Sequence, residues 1–370
     1  MAEGRKASKT GYEMWMEQEG IPIHEGYGIE DVTQVTRRPW SRTGGLGAFI
    51  QLKGLEGLTG MVVGEIPPGE ALRPEKHLYE EIIYILKGIG SAEVWLDGKP
   101  KQRFEWAEGS LFAPPLNAWH RLYNGSREPV VFLALTNAPL LVDLFHNGEV
   151  LFSSDYVFPD RYLGQEKYFE VGEREDRGAN HNWVWNTNFI PDVRSAPINA
   201  QERKGAGVQV TIFEMSQNTL VGHMTEWPVG RYHKAHYHLG GAVLVILKSK
   251  GYTLMWPREL GINPFKEGHG DKVVQVNWGV GSVFSPPTGW FHQHFNTGPV
   301  PARQLATRYG SINYRVGIWD ALEGAGVMIS VKKGGTLIEY QDQDPEINSR
   351  YEDALRREGT TSQMPPLGAR

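Results

Sequence analysis

The chain has 370 residues, a formal net charge of −5 and no cysteine. Nothing in that balance suggests a nucleic-acid groove or a polybasic membrane patch. Without thiols there are no disulfides, thiolate metal sites or cysteine nucleophiles, so a metal must be held by nitrogen and oxygen. The 44 glycines and 23 prolines, with 12 tryptophans and 15 tyrosines, predict many short strands joined by tight turns.

In chain order, residues 1–10 are basic and polar without an apolar targeting core, and no later run is long enough for a membrane span, so a soluble cytoplasmic protein is expected. Residues 12–19 predict a short helix. Short β-branched or alternating runs predict strands over 60–66, 82–86, 91–96 and 130–135, then over 208–214, 243–247, 252–256 and 302–308. Residues 145–204 form a connector rich in aromatic and turn residues, with a polar stretch at 173–182. The segment 257–272 is a glycine- and proline-containing loop or hairpin end. A helix is predicted over 345–358, followed by a mobile tail at 359–370.

The chain repeats itself. With an offset of 161 residues, Glu65, Pro67, Gly69, His77, Gly90 and Trp95 fall on Glu226, Pro228, Gly230, His238, Gly251 and Trp256. With an offset of 172, the segment Gly-Ser-Leu-Phe-Ala-Pro-Pro at 109–115 falls on Gly-Ser-Val-Phe-Ser-Pro-Pro at 281–287, His120 on His292 and Asn124 on Asn296. Two blocks in the same order at the same internal spacing mark a duplication. The predicted division is an N-terminal extension at 1–45, barrels at 46–145 and 206–320, a connector at 146–205 and a C-terminal extension at 321–370.

Residues of one parity on a strand share a face, so His236, His238 and Ala242 look into the second barrel, and Glu75, His77 and Glu81 into the first. His292 and His120 arrive from another strand. Three imidazoles on one face of a metal leave about three positions open on an octahedral ion. His294 shares the face of His292 and is a candidate acid or base, with a core histidine as the alternative. His233 has the opposite parity to His236 and is expected outside the barrel. The N-terminal set Glu75, His77, Glu81 and His120 is a credible metal set; the alternative is a degenerate site whose Glu75 turns to solvent or pairs with Arg73 or Lys76. Around the second site Trp227, Tyr237, Tyr252, Trp256, Trp290, Phe291 and Phe295 suggest aromatic walls, with Trp290 by parity on the face of His292 and Phe291 and Phe295 on the other face. Trp290, Trp256, Arg303 and Arg308 are candidates for holding a flat, anionic substrate.

Both halves resemble cupin domains and the whole resembles a bicupin. Gly230, His236, His238, Gly281, Pro287, His292 and Asn296 match that family's two motifs, with Ala242 where its glutamate stands. Gly69, His77, Glu81, Gly88, Gly109, Pro115, His120 and Asn124 match in the first half, with Glu75 in place of the first histidine. The resemblance implies an all-β fold of two tandem jelly-roll (double-stranded β-helix) barrels with short flanking helices. The three-histidine C-terminal half is similar to the ring-cleaving dioxygenases of gentisate and salicylate type. That likeness implies Fe(II), with Mn(II), Zn(II), Ni(II) or Cu(II) as other ions, O2 and a small aromatic or hydroxy-carboxylate substrate, in a homo-oligomer. The alternatives are a Mn-dependent decarboxylase or lyase of the oxalate decarboxylase type and a non-catalytic metal-binding bicupin.

Overall fold

A computed structural model describes residues 9–175, 184–198, 204–238, 241–314, 316–317 and 329–365. Among these, two β-barrels follow one another, each made of a large and a small sheet. The first pairs an eight-stranded sheet with a three-stranded one, and the second pairs a nine-stranded sheet with a three-stranded one. The predicted strands are present, at Gly60–Ile66, Glu81–Lys87, Ile89–Trp95 and Val130–Thr136 in the first barrel. Their counterparts are Leu220–Trp227, Val243–Lys248, Gly251–Pro257 and Ala302–Ser311 in the second.

Register shows that the duplication is structural. Val130 pairs with Ile66 and Phe132 with Gly64 in the first barrel, as Ala302 pairs with Trp227 and Gln304 with Thr225 in the second. Along Leu220–Trp227 the residues alternate: Val221 and Trp227 face the second barrel's interior cluster. Leu220 and Met224 face a larger cluster that also holds Met61, Val63, Ile82 and Tyr84 of the first barrel. The two large sheets therefore pack through their outer faces, and their strands are apolar on both sides because both sides are buried.

The flanking segments are traded. Gly28–Ile29, in the N-terminal extension, pairs with Val283–Phe284 of the second barrel. Phe189–Ile190, in the connector, pairs with Leu111–Phe112 of the first, while Val184–Asn186 runs parallel to Gln209–Glu214. The first helix, Gly11–Gln18, carries a capping box between Thr10 and Glu13. The last, Pro345–Arg357, is capped by Asp344, whose other carboxylate oxygen accepts 2.8 Å hydrogen bonds from the Phe265 and Lys266 amides of the 257–272 loop. This helix lays Ile347, Tyr351 and Leu355 over Tyr252, Trp256, Phe291 and Phe295 on the outside of the small sheet.

One expectation changes here. The segment beginning at 359 was predicted to be mobile, but its described part docks. The Gln363 amide donates to the Gly230 carbonyl and Met364 joins the outer aromatic cluster. Helix Ala138–Phe145 closes the first barrel's segment, and the connector opens with a second short helix, Gly148–Ser153, whose Leu151 and Phe152 pack on the first barrel's core. Most of the polar stretch at 173–182 lies outside the described residues.

Candidate functional site

Each barrel gathers a set of metal-ligating atoms. In the second, one atom each from His236, His238 and His292 lie within 4.8 Å of one another; in the first, His77, Glu81 and His120 do the same. The His236 backbone pairs with that of His292 in an isolated antiparallel bridge, as the Glu75 backbone pairs with that of His120.

The imidazoles are held in one tautomer by short-range bonds to the backbone. His236 Nδ1 lies 3.0 Å from the Lys234 carbonyl and His292 Nδ1 3.1 Å from the Trp290 carbonyl. His77 Nδ1 and His120 Nδ1 meet the Tyr79 and Ala118 carbonyls at 2.7 and 3.3 Å. A carbonyl only accepts, so Nδ1 carries a proton and Nε2 is the atom left to face the barrel. The Nε2 atoms of His77, His120 and His236 and Oε2 of Glu81 are buried without a hydrogen-bond partner. Orphaned lone pairs converging on one point are what a divalent cation would satisfy, and the donor set fits one at both places.

The two centres are electrostatically opposite. In the first, Glu81 Oε2 lies 3.5 Å from His77 Nε2 and 3.4 Å from His120 Nε2, and Glu75 Oε1 3.7 Å from His120 Nε2. Glu75 thus reaches the edge of the site. Lys76 pairs with Asp155 and Arg73 with the Ser41 carbonyl, so neither holds Glu75 away. Burial by itself lowers the His120 pKa, yet the two carboxylates overcome it and raise it.

Among the described residues the second centre has no carboxylate. Burial first, then the positive charges of Lys204 and Arg308, push His292 down to about 3, and burial with Lys204 and neighbouring histidines pushes His236 well below its ordinary value. The reason lies in one pair of positions. Glu81 pairs with Thr136 in the first barrel; one step beyond the Val243–Thr307 pair of the second stand Ala242 and Arg308. A carboxylate beside a hydroxyl has become a methyl group beside a guanidinium.

The other sequence candidates divide. Arg308 shares the interior face with Ala302 and Ala306. Arg303 does not: it faces the outer side, bonded to Glu226 and the Ala196 carbonyl. Trp290 is half-buried with its ring 5.9 Å from that of Tyr27. Trp256, Tyr252 and Tyr237 were placed in the wall by composition alone; they pack on the outer face in the cluster under the last helix, with Trp256 Nε1 donating to the Gly261 carbonyl. Of the predicted aromatics, Trp227 faces the interior. His294 is inside, its Nδ1 2.8 Å from Thr253 Oγ1 and its ring 5.6 Å from that of His292.

His233 is the residue that parity misplaced. It is fully buried inside the barrel, its ring 5.1 Å from His294 and 4.4 Å from Trp227. Tyr232 pairs with Phe295 and His236 with His292, so the three residues between them on one side, 233–235, face only two on the other, 293 and 294. This bulge turns His233 and His236 to the same face despite their odd spacing. The first barrel has the same bulge, from the Ala71–Tyr123 pair to the Glu75–His120 pair. Its Leu72, matching His233, was the available sequence signal for an inward position.

Residues 62–136 match the family profile "Cupin domain". No curated protein sequence matches the chain. Among solved structures, one of oxalate decarboxylase from Bacillus subtilis at pH 4.6 is 13% identical, with 77% of this chain and 76% of that chain covered and a TM-score of 0.46. Another, from work on the Mn(II) centres of the same enzyme, is 13% identical over 80% of this chain and 81% of that one, with a TM-score of 0.47. Residues 62–136 are thus matched as a cupin domain, and the second barrel repeats their strand register, their bulge and their inward ligand positions, giving a fold of two cupin-like jelly rolls.

Proposed function

We propose that this is a metal-dependent enzyme whose working centre is the C-terminal barrel, and that it converts a small aliphatic organic acid. The observation that carries the reading is the exchange of Glu81 and Thr136 for Ala242 and Arg308 beside three convergent imidazoles. His236, His238 and His292 would hold a divalent ion, which when bound supplies Lewis-acid polarisation and open coordination positions. Neutral ligands leave the ion's charge uncompensated, so an anionic substrate completes neutralisation. Arg308 offers a guanidinium fork suited to a carboxylate. The Nδ1 bonds of His236 and His292 keep the ligand face rigid while the substrate exchanges.

The flat aromatic substrate loses its support, because Tyr237, Tyr252 and Trp256 lie on the outer face. The polar interior suits a small acid, and decarboxylation or a related lyase reaction is the reading adopted, with Mn(II) as the first ion to test. Dioxygenase chemistry with Fe(II) is the second reading, favoured by the all-nitrogen face with its open positions. The first barrel, with its own carboxylates, would hold its ion as a structural centre.

The test is turnover by protein loaded with Mn(II) or Fe(II), offered small aliphatic acids and hydroxybenzoates, with CO2 release and O2 uptake followed together. CO2 release from an aliphatic acid without net O2 uptake, lost in Arg308→Gln and His292→Ala, is expected. Stoichiometric O2 uptake with a hydroxybenzoate would overturn it in favour of the second reading. His294→Ala is expected to keep the metal and lower turnover.

A further inference from the structure

The interior layer next to the second metal set differs in kind from its counterpart. In the first barrel that layer is Leu72, Leu122, Ala92, Gly64 and Phe132, all apolar, with Phe132 packed so closely on Gly64 that a Cβ there would fall 2.2 Å from its ring. At the matching positions the second barrel has His233, His294, Thr253, Thr225 and Gln304. The register of the flanking strands is the same in both, so the architecture itself does not require polar groups there.

Several of these groups are buried and unanswered. His233 and Thr225 are fully buried, and Gln304 is 1% exposed. Both ring nitrogens of His233, Thr225 Oγ1, Gln304 Oε1 and the nearby Trp227 Nε1 lack a hydrogen-bond partner. Each such group is destabilising unless something in the barrel satisfies it. His294 and Thr253 bond each other, and Thr253 also accepts from Trp278 Nε1. None of these side chains is a lysine, arginine or carboxylate, so a second charge placed among them would be uncompensated.

We propose that this layer is a second subsite, two residues along the strand from His292, that binds an uncharged hydroxyl or carbonyl at the far end of a short-chain acid. The proposal rests on the reading of the C-terminal centre as a carboxylate site, and it narrows the substrate to acids carrying a neutral polar group a few carbons from the carboxylate. His233 and Thr225 supply the hydrogen bonds, and the ring spacing of 5.6 Å between His292 and His294 sets the reach.

The experiment uses the full chain loaded with Co(II), whose visible spectrum reports ligands entering the three-histidine site, titrated with butyrate and with 4-hydroxybutyrate. The hydroxy acid is expected to bind about tenfold or more tightly, the yield of one or two hydrogen bonds to otherwise unsatisfied groups. His233→Leu, which installs the first barrel's residue, and Thr225→Val, nearly isosteric, should bring the ratio close to one while leaving butyrate affinity and Co(II) content unchanged. Equal affinities in the unaltered protein would mean that the layer holds structural water only and would overturn the subsite alone. A preference that survives in both variants overturns it as well. No spectral change with either acid would overturn the carboxylate reading, and the subsite with it.

Discussion

Ala242 and Arg308 separate the two centres at the level of single residues. Ala242→Glu restores the carboxylate of the first barrel beside Arg308, so the metal should still bind while affinity for carboxylates falls about tenfold or more, roughly 1.4 kcal/mol. Calorimetric titration of the metal-loaded variant checks this, and an unchanged affinity would contradict the role given to that position. The imidazoles make a second contrast. Glu75 and Glu81 raise the pKa of His120 to about 10 against the lowering effect of burial. A histidine pKa raised on folding stabilises the metal-free fold fully below its unfolded value of about 6.5, and that contribution is lost as pH climbs through the folded value. His292 is pushed down to about 3 and is already unprotonated at neutral pH. Metal uptake at pH 8 should therefore release about one proton from the first centre and none from the second. Titrating His292→Ala and His77→Ala in buffers of different ionisation enthalpy isolates the two; the reverse order would refute the assigned electrostatics.

At the scale of elements, the bulge before His236 decides what the barrel contains. Gln293 Nε2 donates to the His233 carbonyl at 2.8 Å and reaches Gln343 Oε1 at 3.2 Å, tying the bulge to the segment that leads into the last helix. Gln293→Leu should cost about 1–2 kcal/mol of stability, seen as a lower denaturation midpoint. Ile347→Ala, beneath the same helix, should cost about 2–5 kcal/mol; a loss under 0.5 kcal/mol would show that the helix adds little. The strands, the duplication and the inward side of His236, His238 and His292 were legible because strand parity and motif spacing are local properties. The inward turn of His233 was not, since one extra residue inverts parity without marking the sequence. Nor was the outward place of Trp256 and Arg303, because parity says which residues share a face but not which face meets the interior.

Across the whole molecule, the shared core between the two large sheets and the traded strands at Gly28–Ile29 and Phe189–Ile190 bind the barrels into one cooperative unit. Calorimetry of the metal-free chain should show one unfolding transition; two resolved transitions would mean that the barrels are independent. The duplication was visible in the sequence, but this exchange was not, since two-residue strands lack periodicity. No helix among the described residues is long and apolar enough to cross a membrane. The two barrels share a fold while their centres diverge, one carrying glutamates among its ligands and the other three imidazoles. The most direct test is anomalous diffraction from crystals of Mn(II)-loaded protein. A peak bound by Nε2 of His236, His238 and His292 is predicted, and a peak confined to His77, Glu81 and His120 would contradict the account.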